Sequence, residues 1–218
     1  MNKNRLTLIA AVFVVASIFL LFQVVNMAEM ERLSSKSNAE LIEILSDPDD
    51  PDNLFVEVTD ELGKRGASAA EAAPSLAYAL IYPRRDSYRA AYALIKIGPS
   101  AESAIPILFS ELKNPREDVQ RYAALSLGAI GQPAECAMPS LAKLLWHKSS
   151  WVRSASAIAM DAITGENLVD EEDKLDPQSL GSIRLDEPEG NFVSGARDWW
   201  FTIGQNKIWP TQKCELLE

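Results

Sequence analysis

Apolar positions along residues 66–165 recur at three- and four-residue spacing, and regular glycines and prolines interrupt them. Three segments align without gaps: Gly66-ASAAEAA-Pro74, Gly98-PSAESAI-Pro106 and Gly131-QPAECAM-Pro139. Each has Ala at +3, Ala at +6 and Pro at +8. A leucine-rich stretch follows each proline (SLAYAL, ILFSEL, SLAKLL). A second apolar-striped stretch then runs to the next glycine, from Tyr88 to Gly98, Val119 to Gly131 and Val152 to Gly165. A three-to-four period predicts helices with one apolar face. Glycine stops the second helix by taking a left-handed conformation. Proline in the first turn of the next helix loses a donor that is unused there. The chain therefore predicts one helix pair per repeat, with small alanines allowing close approach. A single pair leaves an apolar stripe uncovered, so the pairs must stack. Asn38-AELIEIL and Leu54-FVEVTDELGKRG supply a degenerate first pair. The expected fold is all-α, an α-solenoid of about four helix pairs over residues 38–165.

At the N-terminus the pattern is different. Leu6–Val25 is twenty residues without a charge, with Thr7, Ser17 and Gln23 its only polar members. At ~1.5 Å per residue it spans roughly 30 Å, a bilayer's hydrocarbon thickness. Lys3 and Arg5 precede it, while Glu29, Glu31 and a lone Arg32 follow. The positive-inside rule then expects residues 1–5 in the cytoplasm, 6–25 as a signal anchor, 26–37 as a linker and the repeats outside the cytoplasm. The rival is a cleaved signal peptide and a secreted protein. Its apolar region is shorter, and Asn26-Met27-Ala28 fits a small-x-small cleavage site poorly.

After Gly165 the repeat stops. Residues 166–190 hold nine acids against Lys174 and Arg184, so an exposed irregular acidic loop is expected. Residues 191–218 contain Ala196-RDWWFTIGQNKIW-Pro210. A short helix near Arg197–Ile203 that caps the last repeat is one reading. An aromatic partner-binding patch is the other. The whole chain carries a net charge of −10, which argues against nucleic acid as a partner.

The segments ALSLGAIG and VRSASAIAM resemble the HEAT-like repeats of phycobilisome lyase subunits and of many bacterial repeat proteins, over roughly residues 38–165. Similar "WW…G…W" tails follow such repeats elsewhere, often after an "ITG" like Ile163-Thr164-Gly165. The resemblance implies the fold. For function it implies only a range, since the family includes scaffolds, chromophore-lyase subunits and a hydroxylase. The hydroxylase's paired His-Glu motifs are missing here.

The search for chemistry is correspondingly thin. His147 is the only histidine, and it falls at a helix end where a cation suits the dipole. The loop containing Asp47, Asp49, Asp50 and Asp52 lacks EF-hand spacing and reads as a solvated turn. Cys136 and Cys214 form an even pair. Outside the cytoplasm they are either a disulfide stapling the tail to the last repeat, or a packed Cys136 and a separate thiol. No catalytic, cofactor or metal residues and no small-molecule substrate are expected.

In HEAT-like arrays the second helix of each pair usually lines the concave face. This makes Tyr88, Arg89, Tyr92, Arg121, Tyr122, Trp151 and Arg153 the candidate partner-binding set, from residue types that interfaces favour. The alternative is that several of them pack between repeats. The expected function is a membrane-tethered, non-catalytic scaffold that binds a protein partner. An accessory or assembly subunit of an enzyme is the alternative, and a purely structural envelope protein is a third.

Overall fold

A computed structural model describes residues 15–20, 31–47, 54–82, 86–168, 191–210 and 214. The chain forms two compact units, Met1–Ser37 and Asn38–Glu218. In the first, residues 15–20 and 31–34 are helical, and residues 15–20 are exposed. Most of the expected anchor Leu6–Val25 lies outside the described residues. No helix among those described is long and apolar enough to cross a membrane. Asp49, Asp50 and Asp52 also lie outside, as does the acidic loop beyond Leu168.

The described part of the second unit is helical throughout: α1 (Asn38–Ser46), α2 (Phe55–Arg65), α3 (Ala73–Ala79), α4 (Tyr88–Ile97), α5 (Ile105–Glu111), α6 (Glu117–Ile130), α7 (Met138–Leu144), α8 (Ser150–Thr164) and α9 (Asn191–Thr202). Helices α2, α4, α6 and α8 pack successively into one row, and α1, α3 and α5 follow one another in a second. Apolar stripes meet between the rows. Leu76, Leu94, Leu108, Leu127 and Leu141 are all fully buried, each contributing roughly 1.5–3 kcal/mol relative to exposure.

Between glycine and proline the chain forms a 3-10 segment in each repeat: Gly66–Ala72, Gly98–Ala104 and Gln132–Ala137. These segments stack on one another. The motif alanines Ala69, Ala72, Ala101, Ala104, Ala134 and Ala137 have no exposed surface. A larger side chain at any of them would separate neighbouring repeats. Pro74, Pro106 and Pro139 each take the second position of their helix, as their missing donor requires.

The repeat glycines differ from expectation in conformation. Gly66, Gly98 and Gly131 have φ of 55°, 65° and 76° with ψ of −132°, −138° and −142°. That is the mirror image of the extended region and not the left-handed helix, and only glycine enters it cheaply. Gly165, with no further repeat to enter, adopts the expected left-handed conformation, φ 67° and ψ 20°.

Helix α9 packs on α8 and starts six residues before the helix expected near Arg197. Its stripe of Val193, Ala196 and Trp199 is buried. The turn that returns the chain is built from the ITG motif. The Thr164 hydroxyl donates to the Met160 carbonyl at 2.8 Å, and the buried Asp161 carboxylate accepts from the Leu168 N–H. Arg197 donates to the Leu145 carbonyl, with Nε 3.1 Å away. A disulfide joins Cys136, in the last 3-10 segment, to Cys214, with Cα atoms 5.7 Å apart.

Candidate functional site

All seven candidate residues fall along the row of second helices, because repeat spacing places them on successive members of that row. Tyr88, Arg89 and Tyr92 lie on α4, Arg121 and Tyr122 on α6, and Trp151 and Arg153 on α8. A shift of 33 residues superimposes Tyr88-Arg89 on Arg121-Tyr122, so the aromatic and the cation exchange places between repeats. That exchange lets the rings meet. The Tyr88 and Tyr122 centroids are 6.5 Å apart. The Arg121 guanidinium lies 4.5 Å from the Tyr122 ring centroid and 5.2 Å from that of Trp151, and it donates to the Tyr122 hydroxyl. The result is an aromatic–cationic ladder across α4, α6 and α8. Tyr88 is 40% and Trp151 37% exposed, so its ends are available to a partner.

Arg89 joins the ladder to α2. It sits over the Tyr88 ring at 5.5 Å and donates to both oxygens of Asp60, each at 3.0 Å. Burial opposes its charge, but the Asp60 carboxylate outweighs this and holds the guanidinium above its ordinary range. Asp60, Lys64, Tyr88, Arg89, Tyr92 and Lys96 line a cavity of about 440 Å³ between α2 and α4. The Lys96 ammonium stands over the Tyr92 ring at 5.0 Å.

A smaller cavity of about 180 Å³, lined by Glu117, Asp118, Arg121, Ser149 and Trp151, lies at the other end of the ladder. There Lys148 pairs with Glu117 at 3.0 Å, and this hydrogen bond holds the Glu117 carboxyl below its ordinary value. Arg116 likewise pairs with Asp118 at 2.6 Å, so both carboxylates of the second cavity are matched by cations, whereas three cations face the single Asp60 in the first.

Arg153 reaches the loop before its own helix. Its Nη1 donates to the carbonyls of His147, at 2.6 Å, and Lys148, at 3.0 Å, which fastens the loop before α8. His147 belongs to the same loop, its Nδ1 accepting from the Ser149 N–H at 3.1 Å. Among the described residues no group of His, Cys, Asp and Glu is placed to hold a metal ion. Asp60, Lys64 and Lys96 were not among the residues expected. Lys64 and Lys96 carried a readable signal, each standing two residues before a repeat glycine. Asp60 carried none, since its partner is 29 residues away.

Stacked helix pairs, an interrupted glycine–proline motif and an open polar-aromatic surface define a helical repeat protein. The family model for HEAT repeats matches residues 83–161, which spans α4 to most of α8. HEAT repeats generally serve as protein-interaction scaffolds. No curated protein matches the chain.

Proposed function

We propose that the repeat array is a protein-binding scaffold, tethered to a membrane through Leu6–Val25, with its repeats outside the cytoplasm. The observation that carries the docking role is the ladder Tyr88–Tyr122–Arg121–Trp151, continuous over three successive helices and exposed at both ends. Tyrosine, tryptophan and arginine offer large rigid contact area and directional donors, which is why they dominate the energetics of interfaces. Two features support the location. The flanking charges of Leu6–Val25 favour a cytoplasmic N-terminus, and the Cys136–Cys214 bond suits an oxidising compartment.

Affinity capture from detergent-solubilised membranes tests the reading, with the wild-type chain and an Arg89→Glu/Arg121→Glu variant as baits. A stoichiometric protein should be recovered by the wild type and lost, by about tenfold or more, with the variant, because a reversed charge in a desolvated contact costs several kcal/mol. Circular dichroism must show the variant folded. Equal recovery by both baits sinks the docking role. Protease protection of the repeats in spheroplasts would sink the extracytoplasmic placement.

A further inference from the structure

The cavity between α2 and α4 has a chemistry of its own. Lys64 and Lys96 stand at the same place in consecutive repeats, both exposed and both two residues before the glycine that ends their helix. With Arg89 they put three cations on its walls. The carboxylate lining it is Asp60, which Arg89 engages through both oxygens. Two tyrosines, Tyr88 and Tyr92, complete the lining. The cavity is thus locally basic in a chain whose net charge is −10.

We propose, building on the scaffold reading, that this cavity is the docking subsite for an acidic, extended peptide segment of the protein partner. Carboxylates of such a segment would meet Lys64 and Lys96 in turn, with its apolar groups against Tyr88 and Tyr92. The spacing suits one backbone in particular. Adjacent packed helices lie roughly 8–10 Å apart. A polyproline-II chain repeats every three residues, about 9 Å, and presents positions i and i+3 on one side. Aromatic-lined grooves are the usual seats of that conformation. An acid at every third position would therefore place one carboxylate per helix. A nucleic acid fits less well, because Asp60 stands within the cavity and the chain as a whole carries a net charge of −10.

The test uses the full-length chain in detergent and fluorescein-labelled peptides of repeated Glu-Pro-Ala, with Gln-Pro-Ala as the neutral control, read by fluorescence anisotropy. The acidic peptide should bind at least about tenfold more tightly than the neutral one, and its affinity should fall with added salt. Lys64→Glu/Lys96→Glu should lose about tenfold or more. Lys64→Arg/Lys96→Arg should retain binding, and Lys143→Glu on α7 serves as the unaffected surface control. Asp60→Asn should bind the acidic peptide a few-fold more tightly, because a like charge is removed. Equal binding of the two peptides overturns the proposal, as does equal binding of a single-stranded oligonucleotide of matched charge. If the captured partner is lost with Arg89→Glu/Arg121→Glu but retained with Lys64→Glu/Lys96→Glu, and the acidic peptide does not compete with it, the acidic subsite fails while the scaffold reading stands. If neither peptide nor partner binds the wild type, both fail.

Discussion

A Cβ built on Gly128 of α6 would lie 2.8 Å from the Cα of Ala159 on α8. Backbone faces backbone there, with no flexible side chain to yield. Gly128→Ala must push two helices of the α2–α4–α6–α8 row apart, and such overpacking costs roughly 1–3 kcal/mol. Urea unfolding measures the cost. A loss under about 0.5 kcal/mol, the usual scale of a surface substitution, would mean the helices are not so close in solution.

The glycine conformations predict a contrast between two sites that both have room. Around Gly98 the nearest atom to an added Cβ is the Ala129 carbonyl oxygen at 3.9 Å, and around Gly165 nothing lies within 4 Å. Asparagine tolerates the left-handed region but not the mirror-extended one. Gly165→Asn should therefore cost less than about 1 kcal/mol, and Gly98→Asn about 1–3 kcal/mol. Thermal melts of the two variants decide. Equal costs would show that conformation is not what selects glycine at Gly98.

Cys136 and Cys214 close a loop with a sequence separation of 78. By loop-closure entropy such a bond is worth about 4 kcal/mol. Cys136→Ala/Cys214→Ala should lower unfolding free energy by that order, and reductant should have no further effect on the double variant. Two titratable thiols in the untreated native protein would rule the bond out.

Arg197 holds α9 against the last repeat by donating to the Leu145 carbonyl and covering the Trp146 ring at 5.4 Å. Arg197→Ala should cost roughly 1–3 kcal/mol, the range for a lost hydrogen bond to a charged group. Because Arg197 and the disulfide fasten the same segment, their losses should not add. A double-mutant cycle gives the coupling, and strict additivity would show that the two contacts act on separate parts of the molecule.

Much of this architecture was legible in the chain. Helix pairs, their register at Gly66, Gly98 and Gly131, and the prolines that open α3, α5 and α7 follow from local rules, because propensity, capping and apolar period act within one turn or two. The repeat also showed which helix each candidate side chain sits on. It did not show what those side chains touch. Arg89 finds Asp60, Tyr88 finds Tyr122 and Arg121 finds Trp151 only when helices about thirty residues apart pack side by side. Arg153, alike in composition, turns instead to its own loop. The repeat glycines could be located from the sequence, but their mirror-extended ψ is dictated by the stacked 3-10 segment each must enter. The charge of the α2–α4 cavity was likewise decided by packing, which sets Lys64, Lys96 and Arg89 around one space although the chain as a whole is acidic.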